Sequence, residues 1–244
     1  MEPPFAGTHW SCDHQERGSA MAAHASAGHA RLARARTGET PPLVPAQDGD
    51  PIAALRAEAR ACRMCPLWKP ATQTVFGEGP PRAEVMFVGE QPGDREDRAG
   101  RPFVGPAGQL FDKALKEAGL DRAKSYITNA VKHFKFTPRG KIRLHQKPNA
   151  MEIRACRPWL AREIETVRPK IVVALGATAG QSLLGRAVPI GRNRGAFLPL
   201  GEARALVTVH PSFLLRVHGE GRRAEEYARF VRELRLVRTA LEEA

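Results

Sequence analysis

The sequence predicts an α/β fold, in which helices in a three-layer α/β/α arrangement cover a short, mainly parallel central sheet. Two observations carry this prediction. Short apolar runs recur along the chain and stop at glycine or at a turn, as buried strands do. Segments with helical periodicity separate these runs, and strands that alternate with helices usually pair in parallel.

The elements can be placed in order from their boundary signals. Asp50 can cap a helix whose first residue is Pro51, Gly119 can end another, and Asn149 with Glu152 has the spacing of a capping box. The candidate strands are 84–89, 125–131, 171–176 and 205–211. The candidate helices are 51–61, 109–119, 149–167, 177–185 and 222–241.

Composition divides the chain into two parts. Residues 1–50 are rich in Ala, Gly, Pro, Ser and His without periodicity, and are predicted to be a disordered N-terminal extension. Residues 51–244 form the predicted domain and hold 34 basic against 20 acidic residues, a balance that favours nucleic acid as partner. No apolar run approaches the roughly 18 residues of a membrane span, and no secretory signal is evident, so a cytoplasmic location is expected.

Polar residues follow the candidate strands, at the sheet edge where α/β proteins gather their sites. Glu90 stands in a glycine-rich loop, where it could orient a water or a charged intermediate. His210 follows the last strand and could donate to a departing anion, and Ser212 could contact a phosphate. The plainer interpretations are a solvated acidic loop and a structural histidine.

The cysteines suggest a metal or redox site. Cys62 and Cys65 have C-x2-C spacing, and Cys156 could add a third ligand from a helix. Zinc, redox chemistry and an iron–sulfur cluster all suit such a pair. Cys12 is poorly placed in the extension, so His133 is the best fourth candidate.

The run RGKIRLHQKP, residues 139–148, combines two signals. Lys141, Arg143 and Lys147 surround His145 in a loop-like segment. The cations suggest a polyanion, whereas the histidine suggests chemistry.

Eight motifs together resemble the iron–sulfur members of the uracil-DNA glycosylase superfamily. In order they are CRMCPL, VFGEGP, VGEQPG, GRPFVGPAGQLFD, YITNAVK, ACRPWL, VALGAT and VTVHPS, within residues 51–241. Three features resemble those of the X-type enzymes (UdgX). They are GEQPG, the K-x-R-x-H pattern within the insert FKFTPRGKIRLHQKP, and His133 where type-4 enzymes have cysteine. Ile142 departs from the X-type loop, which has a basic residue there.

The resemblance implies how the base is bound. Phe103 would stack on uracil and Asn129 would read its amide edge, while Gln91 and Asp97 would shape the pocket. His210 would stabilise the uracil anion as the glycosidic bond breaks.

The resemblance also implies covalent capture of the sugar. His145 would attack C1′ of the oxocarbenium-like sugar with help from Glu90, so each molecule would act once. Lys141, Arg143 and Lys147 would hold backbone phosphates.

The same resemblance implies a structural 4Fe–4S cluster bound by Cys62, Cys65, His133 and Cys156. The expected partner is uracil-containing DNA, preferably single-stranded, bound by a monomer with no membrane association. Two alternatives stay open: an ordinary turnover glycosylase of the type-4 kind, and a noncatalytic iron–sulfur DNA-binding module.

Overall fold

A computed structural model describes residues 50–243, which form a five-stranded sheet with helices on both faces and a separate two-stranded hairpin. In chain order the elements are α1 (Pro51–Arg60), β1 (Val85–Gly89), α2 (Asp94–Ala99), α3 (Pro106–Ala118), β2 (Tyr126–Asn129), β3 (Phe136–Arg139), β4 (Ile142–His145), α4 (Ala150–Val167), β5 (Ile171–Leu175), α5 (Ala177–Leu184), α6 (Ile190–Asn193), β6 (Phe197–Leu200), β7 (Ala203–Thr208), α7 (Pro211–Leu215) and α8 (Glu220–Glu242). Among these helices, none is long and apolar enough to cross a bilayer. The predicted extension lies outside the described residues, apart from Asp50, and stays a prediction.

The central sheet has the strand order β2-β1-β5-β7-β6. The pairs β1–β2, β1–β5 and β5–β7 are parallel, and only the edge strand β6 pairs antiparallel, with β7. The four parallel strands are the four predicted from apolar runs. β6 was not predicted, because a strand of four residues with a proline has too little pattern to recognise.

Each central strand divides its side chains between two cores. In β1, Met86 and Val88 pack with Leu55 of α1 and Leu160 of α4, whereas Phe87 packs with Phe111 of α3 and with α8 on the other face. This two-residue alternation in a strand buried on both sides explains why its sequence is a continuous apolar run. The predicted α/β/α layering is confirmed.

The helix ends follow the sequence signals. The Asp50 side chain accepts a hydrogen bond from the Ile52 amide at 2.9 Å. At α4 the capping box is complete, since Asn149 Oδ1 accepts from the Glu152 amide and Glu152 Oε2 accepts from the Asn149 amide. Both pairings satisfy amides that the first turn of a helix leaves free.

The basic run 139–148 is not the loop that the sequence suggested. Arg139 pairs with Ile142 and Phe136 with His145, so β3 and β4 form a hairpin whose two-residue turn contains Gly140 at φ 57°. Glycine adopts this left-handed conformation at little cost, which suits such a turn. His145 is therefore the last residue of a strand.

Candidate active site

A cavity of about 670 Å³ opens at the carboxyl edge of the sheet. Its walls come from the segments after β1, β2, β5 and β7 and from the end of the hairpin. Eight predicted residues line it: Glu90, Gln91, Phe103, Asn129, His145, Lys147, His210 and Ser212. The sheet topology explains why these residues lie together, because parallel strands bring their carboxyl ends to one edge of the sheet.

Phe103 and Asn129 both line the cavity, and both side chains lie against Gly89. Gly89 permits their approach, since a Cβ there would lie 2.3 Å from Asn129 Oδ1 and 2.7 Å from Phe103 Cζ. Phe103 has a φ of 55°, a strained conformation for an aromatic residue. Its backbone lies so close to Gly108 that a Cβ there would be 1.9 Å from the Phe103 carbonyl oxygen. Asn129 as a whole is 2% exposed, and no residue among 50–243 forms a hydrogen bond with its side-chain amide. An unpaired amide that is open to the cavity beside an aromatic face suits a planar ligand with amide-like edges.

The position of the His210 proton follows from its contacts. Its Nδ1 accepts a hydrogen bond from the Ser212 amide at 3.1 Å and lies 2.9 Å from the Ser212 hydroxyl. The neutral ring therefore carries its proton on Nε2. Burial, assisted by Arg216 and His145, lowers the pKa of His210 to about 4. At neutral pH the ring is an uncharged N–H donor.

His145 reaches the cavity with its Nε2 atom. The Gln91 amide nitrogen donates to Nε2 at 2.9 Å, and Oε1 of Glu90 lies 3.6 Å from the same atom. The Lys135 amide donates to Gln91 Oε1, which fixes the orientation of the Gln91 amide. Burial lowers the pKa of His145 although Glu90 opposes the shift. Nε2 thus carries a lone pair, as a nucleophile needs.

Arg143, which was predicted to contact phosphate, forms ion pairs within the protein. Its guanidinium donates to Asp97 Oδ2 at 2.6 Å and also pairs with Asp94. Asp97 is fully buried, also accepts from the Thr72 amide at 3.1 Å, and does not line the cavity. The charge of Arg143 is therefore compensated inside the protein, and both residues act by holding the hairpin against α2.

Replacing Arg143 with methionine is expected to lower the free energy of unfolding by roughly 2–3 kcal/mol, because Asp97 would be left buried without its cation. Urea denaturation measures the loss. Lys141→Met is the matched control: Lys141 is exposed on the same hairpin and has no ion pair with any residue that the structure describes. Equal stability losses in the two variants would contradict the assignment.

Comparison with known proteins identifies the family. Residues 76–235 match the family model described as the uracil DNA glycosylase superfamily. The chain belongs to this superfamily. The glycosylase match includes the segments after β1, β2, β5 and β7 that build the cavity.

Three relatives illustrate the similarity of the chain to this superfamily. A Type-4 uracil-DNA glycosylase of Thermotoga maritima is 40% identical over 71% of this chain and 85% of its own length. A Type-4 enzyme of Sulfurisphaera tokodaii is 44% identical, over 52% of this chain and 55% of the relative, so the chain spans about half of that protein. A Type-5 uracil-DNA glycosylase of Pyrobaculum aerophilum is 30% identical over 66% of this chain.

Of the predicted cluster ligands, the three cysteines lie together at one core, and His133 lies beside Thr74. Cys65 and Cys156 are in the same core with Cys62 packed against it, and Cys62 Sγ and Cys156 Sγ accept hydrogen bonds at 3.2 Å from Trp159 Nε1 and the Lys132 amide. Burial raises the pKa of Cys156 to about 12. Nε2 of His133 lies 2.9 Å from the Thr74 hydroxyl. Within residues 50–243 no three His, Cys, Asp or Glu side chains are already arranged around a single metal ion.

The structure adds cavity residues that the sequence interpretation did not select. Thr178, in the first turn of α5, and Arg216, after α7, both line the cavity. Lys147, which was predicted to contact phosphate, lines it as well, whereas Lys141 does not. Thr178 is the last residue of the motif VALGAT, and Arg216 lies four residues after the motif VTVHPS. The sequence shows that both residues follow a strand. It does not show which side chains after a strand point into the cavity.

Proposed function

We propose that this chain excises uracil from DNA. The observation that carries the proposal is a single cavity that holds the unpaired amide of Asn129, the ring of Phe103 and the neutral imidazole of His210. The names of the relatives, uracil-DNA glycosylases, support it. A paired base cannot enter such a cavity, so the nucleotide must be flipped out or come from a single strand. A preference for single strands and a monomeric state stay predictions.

Base recognition uses Phe103 and Asn129. The Phe103 ring offers a face for stacking, and the Asn129 amide offers one acceptor and one donor side. Uracil presents an N3–H donor beside a carbonyl acceptor, the complement of that amide. Cytosine presents the opposite pattern at these two positions, so it would face like groups.

Bond cleavage uses His210. As the bond between C1′ and N1 breaks, its electron pair moves into the uracil ring and negative charge grows on the carbonyl oxygens. A neutral Nε2–H, already oriented by Ser212, stabilises this charge without giving up its proton. The sugar acquires oxocarbenium character, as in other glycoside cleavages.

The relatives favour turnover as the fate of the sugar. They are named Type-4 uracil-DNA glycosylases. In the turnover route, a water that Glu90 orients attacks C1′. The water gives C1′ a hydroxyl and releases its proton to Glu90, so the abasic product leaves and the protein can act again.

One observation favours covalent capture as a second candidate, the behaviour of the X-type enzymes. Nε2 of His145 faces the cavity with a lone pair and lies beside Glu90. In this route Nε2 exchanges its hydrogen bond from Gln91 for a bond to C1′, uracil leaves with the electrons of the broken bond, and the ring then loses its Nδ1 proton to solvent. The product would be an N-glycosidic adduct.

One experiment tests the function and separates the two routes. The protein is mixed with a 5′-labelled uracil-containing single-stranded oligonucleotide and analysed on a denaturing gel, with alkali cleavage of a second aliquot. Alkali-labile product without a shifted band indicates turnover, and a band that survives heat and detergent indicates capture. An oligonucleotide that is neither cleaved nor shifted contradicts uracil excision and leaves the noncatalytic module.

The proposal includes a 4Fe–4S cluster held by Cys62, Cys65, Cys156 and His133. Cys156 is buried and Cys62 is partly buried, and the sulfur atom of each accepts a hydrogen bond from an N–H group. Such donors suit cluster ligation because they would stabilise the thiolate form. Ligation through Nε2 of His133 would require the Thr74 hydroxyl to give way. The bound cluster would link the segment after α1, the segment after β2 and α4. A measured content of about four iron atoms and about four acid-labile sulfides per chain would support this cluster.

A further inference from the structure

The hydroxyl of Thr178 contacts Glu90 inside the cavity. Thr178 is 2% exposed, and its Oγ1 donates to Oε2 of Glu90 at 2.5 Å, across 88 positions of sequence. The other carboxylate oxygen, Oε1, is the one that lies 3.6 Å from Nε2 of His145. Thr178 thus contacts one oxygen of Glu90 and leaves the other directed towards the reacting region.

We propose that Thr178 is a positioning residue, which fixes the carboxylate plane of Glu90 so that Oε1 faces the point where C1′ is attacked. The inference rests on the proposed function, because Glu90 needs a defined orientation only if it assists water or His145. The backbone of Glu90 is already held, since its carbonyl accepts from the Val131 amide at 3.0 Å. Its side chain still has three rotatable bonds, and the Thr178 hydroxyl restrains their far end.

A purely structural role for Thr178 makes a different prediction. In that case the hydroxyl would matter only for the packing of α5, and its removal would affect stability or DNA binding rather than the chemical step. The same helix supplies a comparison in Ser182, which is equally buried at 2% exposure. Its hydroxyl has no hydrogen-bond partner among the described atoms and does not line the cavity.

The experiment compares four variants of the full chain: Thr178→Val, Thr178→Ala, Thr178→Ser and Ser182→Ala. The single-turnover rate of uracil consumption is measured with protein in saturating excess over a uracil-containing single strand. Dissociation constants are measured separately by fluorescence anisotropy. Thr178→Ala and Thr178→Ser differ in the hydroxyl alone, so they decide the question even if Thr178→Val does not fold.

The expected result is a loss confined to the chemical step. Removing a hydrogen bond to a charged group should slow Thr178→Val and Thr178→Ala about tenfold with unchanged dissociation constants. Thr178→Ser should stay within about twofold of the parent rate, because it retains the donor. Ser182→Ala should match the parent in both measurements.

Three results would overturn the inference: an unchanged rate in Thr178→Ala, a failure of Thr178→Ser to restore the rate, or an equal loss in Ser182→Ala. The proposed function fails separately. A parent protein that neither releases uracil nor forms an adduct removes that function and the inference with it, whereas an active parent with an unaffected Thr178→Ala removes the inference alone.

Discussion

His210→Asn is expected to lower the single-turnover rate of uracil excision by about 100- to 1000-fold at pH 7, the usual cost of removing one donor to a developing anion. Asparagine can still cap α7, where His210 Nδ1 now accepts from the Ser212 amide. It cannot place an N–H where the imidazole Nε2 lies. The variant should therefore fold normally while losing the donor.

The low pKa of His210, about 4, makes this comparison simple to interpret. The ring is neutral at pH 7, so the substitution removes a hydrogen-bond donor and no charge. His218→Asn is the control, because His218 is exposed nearby in the sequence and does not line the cavity. A rate in His210→Asn within about threefold of the parent would exclude His210 from anion stabilisation.

The fold was predictable because its signals are local. Phe87 and its neighbours in β1 are buried on both faces, so the strand is recognisable from apolarity alone. Asn149 and Glu152 satisfy one another three residues apart, and the capping box is visible in the letters. The same reasoning placed Glu90, His210 and Ser212 at one edge, since strand direction determines where their loops meet, whereas Asn129 came from the family resemblance.

The hairpin and its contacts were less predictable because they depend on distant partners. Arg143 looked like a free cation in a basic run, yet its partners Asp94 and Asp97 lie 49 and 46 positions earlier. The same holds for Thr178, whose partner Glu90 is 88 positions away. A charge pattern within ten residues cannot show which of its members is neutralised by another segment.

The anchored hairpin explains how a partly exposed His145 can have a defined position. Arg143 is bound to α2 two residues before His145, and Gln91 donates to the His145 ring from the segment after β1. Ile142 and Leu144, on the other side of the strand, are exposed. Because side chains alternate along a strand, Arg143 and His145 point to the same side of β4. Arg143 fixes the strand to α2, and the imidazole of His145 at its end lies in the cavity wall.

His145→Ser is expected to abolish any denaturation-resistant band formed with uracil-containing DNA, while uracil release continues. The serine hydroxyl is a much weaker nucleophile than a neutral imidazole near pH 7, and the smaller side chain leaves room for water beside Glu90. Asn129, Phe103 and His210 are untouched, so base binding and bond cleavage should persist. The denaturing gel measures the adduct, and alkali cleavage measures release.

His218→Ser is the matched control for His145→Ser, since it removes an exposed histidine outside the cavity. It should keep the parent's pattern of adduct and release. A band that persists in His145→Ser would show that another side chain forms the bond to C1′. Loss of both adduct and release would instead show that His145 contributes to cleavage of the glycosidic bond itself. Water can replace the imidazole as the group that captures C1′ only if bond cleavage still occurs without His145.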